Sequence, residues 1–260
     1  MGRINGFDNT DLNIPNANER GLIHRDYIAH CHRWSYVQDF MKRRDKEWTG
    51  TGCVNENRRH KFAHIIDVGC GKDMMLYRVL NSNKSIPASY TGVDINKLEI
   101  PNGFEGARLQ PVLFSETPFL DITSEMLKNK PNVITNFEVL EHVPQDYASK
   151  MLQHMYDIST HNAYLIMSTP VYYEKYGMAK NHINEMTRET TQKLLHDTGW
   201  NIKENFGTFS GKPELYDNMQ PEHKRTWDAL AKYYSIPVLS TILAPLYPEY
   251  SRNNLWVCTK

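Results

Sequence analysis

The chain has 260 residues, 40% of them apolar and 23% charged, with 30 Lys and Arg balanced by 30 Asp and Glu. That length fills one α/β domain with residues to spare, and a formal net charge of zero argues against whole-surface binding of nucleic acid. Cys31, Cys53, Cys70 and Cys258 form no C-x-x-C pair, so neither a zinc ribbon nor a disulfide framework is expected, and their scatter fits a reducing, cytoplasmic setting.

In chain order, residues 1–19 are rich in Asn, Asp and Gly and read as a loose arm without the apolar core of a secretory signal. Residues 25–46 read as a helix, with Ile28, Cys31, Trp34, Val37 and Met41 as its apolar stripe. Lys42, Arg43, Arg44, Lys46, Arg58, Arg59 and Lys61 gather charge there. Such a run is more often a solvated face than a phosphate-binding patch. Strands and helices then alternate. Strands are expected at 63–68, 88–93, 108–114, 132–136, 163–168 and 200–206, and helices at 72–80, 145–159 and 187–198, the last capped by Thr187.

Residues 212–248 break the rhythm with five prolines and two expected helices, and 254–259 reads as a final strand. The most apolar stretch, 236–246, falls short of the ~20 residues a membrane helix needs, so no membrane partner is expected. Alternation of this kind implies a doubly wound, mostly parallel sheet with helices on both faces. Residues 1–60 form an arm and helical cap, and 61–260 the main domain with an insertion near 212–248.

The most specific signal is Ile65-Ile66-Asp67-Val68-Gly69-Cys70-Gly71, a buried strand running into a glycine turn before a helix. Glycine lets the backbone approach a ligand closely, and the helix start offers unpaired N–H groups. The third glycine of a dinucleotide fingerprint is missing, because position 74 is Met. Asp67 would repel phosphates but accept from an ammonium. S-adenosylmethionine, with an ammonium and a sulfonium and no phosphate, fits better than a dinucleotide. Asp94, followed by Ile95, stands where an acid can take both ribose hydroxyls. Asp121, beside Leu120 and Ile122, can accept from an adenine amine.

These segments, with Glu138-Val139-Leu140-Glu141-His142-Val143-Pro144, resemble in order the motifs of class I S-adenosylmethionine-dependent methyltransferases over residues 63–206. The resemblance implies a seven-stranded Rossmann-like sheet with its last strand antiparallel. It also implies a cofactor site of Asp67, Gly69, Cys70, Gly71, Asp94, Ile95, Asp121, Ile122 and Asn136. The family often has a third glycine where this chain has Asp73.

Acceptor chemistry belongs beyond the fourth strand. Glu138, Glu141 and His142 have i, i+3, i+4 spacing and would share one face of a helical turn, and His182 follows the fifth strand. Two carboxylates and two imidazoles can bind Mg²⁺, Mn²⁺ or Zn²⁺. The segment is similar to the metal sites of small-RNA 3′-terminal 2′-O-methyltransferases and ubiquinone-biosynthesis O-methyltransferases. That resemblance implies Glu138, Glu141, His142 and His182 as catalytic metal ligands; the alternative is pocket lining and helix capping. Tyr172, Tyr173 and Tyr176 are expected to wall a pocket or form an amphipathic rim. Arg25 and Tyr27 are placed to close over the cofactor. His24, His30 and His32 read as surface or packing histidines.

The expected function is methyl transfer to a hydroxyl of a small-molecule or saccharide-like acceptor. Two rivals are an RNA or nucleotide 2′-O-methyltransferase, disfavoured by the zero net charge, and a cofactor-binding, non-catalytic partner protein. A nicotinamide-dependent dehydrogenase is disfavoured by Asp67 and Met74.

Overall fold

A computed structural model describes residues 25–49, 60–82 and 87–260 of the chain. The elements, in order, are α1 (Arg25–Thr49), β1 (His60–Val68), α2 (Met75–Ser82), β2 (Pro87–Val93), β3 (Val112–Phe114), β4 (Val133–Phe137), α3 (Gln145–Ile158), β5 (Tyr164–Pro170), α4 (Arg188–Asp197), β6 (Asn201–Phe209), α5 (Lys212–Tyr216), α6 (Pro221–Leu230), α7 (Ile236–Leu243) and β7 (Asn253–Thr259). The sheet runs β3-β2-β1-β4-β5-β7-β6. β7 is antiparallel to both neighbours and the remaining pairings are parallel.

Successive residues of a strand point to opposite faces, and both faces of this sheet are covered. Ile66, Ile134, Leu165 and Met167 pack with Met151, Leu152 and Met155 of α3 and with Leu194 and Leu195 of α4. Ile65, Val133, Ile166 and Val257 pack on the other side with Trp34, Val37, Phe40 and Met41 of α1 and Leu76, Tyr77 and Leu80 of α2. The near-continuous apolar runs of the central strands follow from this double burial. The order reverses between β1 and β4, and open α/β sheets bind ligands outside the carboxyl ends of the strands at such a point.

Several boundaries differ from the sequence reading. α2 starts at Met75 rather than residue 72, because Gly71 and Met74 hold positive φ and delay helical geometry. β3 shrinks to three residues at the sheet edge. Ahead of β4 only the 3₁₀ turn Phe119–Asp121 is regular. The 212–248 segment holds three helices, each with proline in its first turn, where that residue's missing N–H costs nothing. They gather around a core of their own: Leu215, Met219, Trp227, Leu239, Leu243 and Tyr247. On α1 the buried face runs through Ala29, His30, Arg33, Trp34, Val37, Phe40 and Met41, while Ile28 and Cys31 of the expected stripe are only half-buried.

Candidate active site

β1 ends at Val68 in a turn held by Gly69 (φ 73°) and Gly71 (φ 68°). A Cβ on Gly69 would come within 2.3 Å of Val139 Cγ2, so glycine is what lets the turn press against the segment leaving β4. The amides of Gly69 and Cys70 donate to the Val93 carbonyl. Asp94 then ties the turn to β2: its Oδ2 accepts from the Gly71 amide at 2.8 Å, and its Oδ1 accepts from the Asn96 amide and side chain. A third left-handed residue does occur here, at Met74 (φ 45°), one position after the Asp73 that replaces the family's usual glycine.

Asp67 is buried and accepts 2.6 Å hydrogen bonds from Tyr90 and Thr135. Burial lifts its carboxyl to about 6 against the pull of those two donors, and the charge of Asp94 adds to the rise. Asn136 is fully buried. Its amide donates to the Val68 carbonyl, and its Oδ1 has no protein partner. Burial also pushes the Cys70 thiol up, so it stays neutral. Ile95 is 73% exposed beside Asp94, and Asp121 is exposed, whereas Ile122 is sealed in the core.

The segment after β4 is not the single helical turn its spacing predicts. Only Leu140–His142 forms a 3₁₀ turn, and Glu138 precedes it with φ 56°. Non-glycine residues hold that conformation when their surroundings over-determine it. Here the Glu138 Oε1 accepts from Ser168 Oγ at 2.7 Å and from Asn253 Nδ2 at 3.0 Å, and it pairs with the Arg33 guanidinium at 3.3 Å. Its Oε2 accepts from Asn253 Nδ2 at 2.9 Å. Arg33 is 1% exposed and also donates to Asn253 Oδ1, which Thr208 shares. His30 Nδ1 lies 3.0 Å from Arg33 Nη1. Burial first, then the Arg33 charge, keeps this imidazole neutral and able to accept.

Glu141, His142 and His182 come together, with one potential ligand atom from each lying within 4.8 Å of the others. Glu141 is 1% exposed and its Oε2 has no hydrogen-bond partner; burial, then the charge of Glu138, raises its carboxyl well above the usual range. The loop after β5 is fastened to this turn. The amides of Ile183 and Asn184 donate to the Glu141 carbonyl, and Asn184 Nδ2 donates to the Leu140 carbonyl. His182 Nδ1 is 2.5 Å from Glu185 Oε1, and His142 Nδ1 is 3.2 Å from the Asn181 carbonyl. Both contacts put the ring proton on Nδ1 and the lone pair on Nε2. Metal-binding histidines are usually held this way.

Two clefts adjoin these residues, with His142 lining one and His182 the other. One takes in Asp67, Gly69, Cys70, Met74 and Phe137; the other, of about 350 Å³, takes in Tyr173, Tyr176, His182, Glu185, Phe209 and Arg252; His30, Glu138 and Asn181 line both. Asp94, Ile95 and Asp121 lie outside the lining of the first cleft. Of the three tyrosines singled out in the sequence, Tyr173 and Tyr176 wall the second cleft and Tyr172 does not. His24 and the side chains of Arg25 and Tyr27 fall outside the described residues. His30 proves to be a wall of both clefts, and Arg33, Asn253, Ser168 and Glu185 were not anticipated. One signal for Arg33 was available: it stands four residues after Ala29 and four before Val37, in line with the buried face.

Residues 40–205, more than half of the chain, match the methyltransferase-domain family. No curated protein sequence matches. Similar solved structures include a SAM-dependent methyltransferase from Archaeoglobus fulgidus (17% identity, 86% of this chain and 94% of that one, TM-score 0.48). Magnesium protoporphyrin IX methyltransferase from Synechocystis PCC 6803 with bound SAM is another (13%, 91% and 83%, 0.48). A third is 1,6-didemethyltoxoflavin-N1-methyltransferase from Burkholderia thailandensis (12%, 92% and 92%, 0.48). The family match, the strand order and the glycine turn at the β1–β4 switch point agree: this chain belongs to the methyltransferase-domain family, with the fold of the class I S-adenosylmethionine-dependent enzymes.

Proposed function

We propose that the chain moves the methyl group of S-adenosylmethionine to a hydroxyl oxygen of a small-molecule or saccharide acceptor, with a divalent cation held by Glu141, His142 and His182. The observation that carries this reading is the buried, unpartnered Glu141 Oε2 beside two imidazoles, of which His142 lines the first cleft and His182 the second. A buried carboxylate without a partner is costly, and a cation is the ligand that would restore its charge. The donor set of one carboxylate and two imidazoles suits Zn²⁺ or Mn²⁺, and less well Mg²⁺.

S-adenosylmethionine supplies a methyl carbon already activated by sulfonium, and a cation supplies Lewis acidity to a hydroxyl. The chain's residues do the rest. Asp67, which lines the first cleft, would accept from the cofactor's ammonium, and the buried, unpartnered Asn136 Oδ1 lies on the next strand. The remaining acceptor position of Asp94, at Oδ2, would take a ribose hydroxyl, with Ile95 and Asp121 on the adenine side. Glu138, Asn181 and His30, shared by both clefts, fix where the acceptor oxygen meets the methyl carbon, and such alignment is most of what a displacement requires.

A metal-free variant has one observation in its favour, the short His182–Glu185 contact, which would let His182 Nε2 take the hydroxyl proton directly. An RNA acceptor is less well supported. Arg43 lies over the Tyr36 ring, Arg44 over Phe40 and Tyr164, and Lys42 pairs with Asp39. Among the described residues no helix is long and apolar enough to cross a membrane, and the Cys70 and Cys258 thiols, outside any disulfide, suit a cytoplasmic enzyme.

The test is calorimetric titration with S-adenosylmethionine and S-adenosylhomocysteine, followed by methyl transfer to catechols, ribosides and sugars with chelator or added Mn²⁺. Micromolar cofactor binding and a Mn²⁺-dependent rate are expected. A chelator-resistant rate moves the proton to His182. Absence of turnover with intact cofactor binding favours a non-catalytic partner role, and absence of binding removes the enzyme reading.

A further inference from the structure

The i, i+3, i+4 spacing offers Glu138 as a fourth ligand beside Glu141, His142 and His182, yet Glu138 is not part of the cluster those three residues form. Its carboxylate is held by other partners. Oε1 accepts from Ser168 Oγ and Asn253 Nδ2 and faces the Arg33 guanidinium, while Oε2 accepts from Asn253 Nδ2. Three donors hold it, chiefly at Oε1, and Asn253 Nδ2 is shared between the two oxygens, so the carboxylate is oriented by Arg33, Ser168 and Asn253 rather than by the neighbouring cluster. The donors come from three separated elements, α1, β5 and β7, and Arg33 itself is 1% exposed and fixed from behind by His30 and Asn253. Glu138 has left-handed backbone and precedes the 3₁₀ turn that carries Glu141 and His142, so the three do not share one helical face.

We propose that Arg33 is a positioning residue: with Asn253 and Ser168 it withholds Glu138 from the cation, which is held by three protein ligands and keeps its other positions open toward the second cleft. This inference rests on the cation reading above and adds to it which carboxylate is excluded and what excludes it. Three protein ligands with open positions is the pattern of catalytic rather than structural metal sites. His182 lines the cleft that Tyr173, Tyr176 and Arg252 wall, and an acceptor entering there would offer its oxygens in place of a fourth side chain. Without Arg33, Glu138 is left as a half-buried carboxylate short of one cation, and the neighbouring metal becomes its best replacement. Removal of Arg33 therefore tightens cation binding while closing a position the acceptor needs.

The experiment uses the full chain and Mn²⁺ alone as the probe, read by calorimetry and by water-proton relaxation, with S-adenosylhomocysteine affinity as the control for folding. An octahedral ion with three protein ligands keeps about three waters and one with four keeps about two. The wild type is expected to show the higher hydration. Glu138→Gln should keep Mn²⁺ affinity within about threefold and leave hydration unchanged, whereas His182→Ala should lose about tenfold or more. Arg33→Met should bind Mn²⁺ more tightly than wild type and lose one bound water, and adding Glu138→Gln to Arg33→Met should abolish that gain. A role for Arg33 in packing alone would lower affinity or leave it unchanged. A tenfold loss in Glu138→Gln would make Glu138 a ligand and overturn the inference while leaving the cation reading intact. Failure of the wild type to bind Mn²⁺ would end the cation reading and this inference together. Arg33→Lys, which keeps the charge, is the substitute if Arg33→Met does not fold, and it should show the wild-type hydration; a lost water would count against the proposal.

Discussion

The two clefts that meet at Glu138 are built differently. The first is made mostly of short contiguous segments, the turn after β1 with the start of α2 and the exit from β4, joined by His30 and Trp34 of α1 and by Asn181. The second draws on α1, the loop after β5, β6 and β7, and its central hydrogen bond joins Arg33 to Asn253 across 220 positions. A cofactor that many proteins share is met by short local motifs, while the acceptor is met by a network that exists only once the chain has folded. Damage to the first should behave as a local fault, and damage to the second should propagate.

The sharpest way to break that comparison is Arg33→Ala. Removing one member of a buried ion pair leaves the other charge unpaired and costs about 3–5 kcal/mol. Denaturant unfolding should show this loss. The double variant with Glu138→Gln should recover part of it, with a coupling of about 1–3 kcal/mol. If Arg33→Ala costs no more than a surface substitution, the network does not hold the second cleft together.

Gly69→Ala comes next and strikes the first cleft. It combines a left-handed φ with a Cβ 2.3 Å from Val139, which together should cost about 2–4 kcal/mol. Affinity for S-adenosylhomocysteine should fall steeply, because the Gly69 and Cys70 amides can no longer keep their geometry against Val93. Mn²⁺ affinity should move far less, since Glu141 and His182 are tied to each other by the loop after β5.

A smaller effect is set by pH. The Asp67 carboxyl is raised to about 6, chiefly by burial, so it becomes protonated as pH falls through 6. If its charge helps hold the cofactor's ammonium, affinity should drop about tenfold from pH 7 to pH 5, and Asp67→Asn should be weak and flat over that range. The raised value has the opposite sign for stability. The folded state binds this proton more tightly, so the group's contribution is greatest below pH 4 and declines as pH rises from about 4 to 6. A cofactor affinity in wild type that ignores pH would remove Asp67 from the ammonium site.

What was legible in the sequence divides along the same line. The apolar runs of β1, β4 and β5 are buried on both faces, so their pattern announced the parallel sheet, and glycines at 69 and 71 announced the turn. The Glu141–His142–His182 grouping was also visible from residue type and from its place after two strands. The exclusion of Glu138 was not, because it depends on a left-handed backbone and on partners 105 and more positions distant: Arg33 lies that far before it and Asn253 farther beyond. Ionic spacing along a sequence predicts a shared face only where a regular helix follows, and here the chain makes a kink and a 3₁₀ turn instead.

Thr187→Ala tests the local end of the comparison with the smallest effect. Thr187 sits ahead of α4 with extended backbone, and its hydroxyl accepts from the Thr190 amide, while its carbonyl accepts from Thr191. Loss of such a cap costs about 1 kcal/mol, and glycine at the position should cost less than alanine. For a chain of this size that is a fall of about 2–4 °C in Tm. The loop carrying His182 ends at this residue, and the Val171–Met186 bridge closes it just before, so the cap and the cluster are neighbours in sequence. Even so, Mn²⁺ and cofactor affinities should not change, because the loop is held at Glu141 and Leu140 rather than at its exit. A change in Mn²⁺ affinity with Thr187→Ala would mean that the position of His182 depends on the helix behind it, and that the second cleft is more distributed than its hydrogen bonds describe.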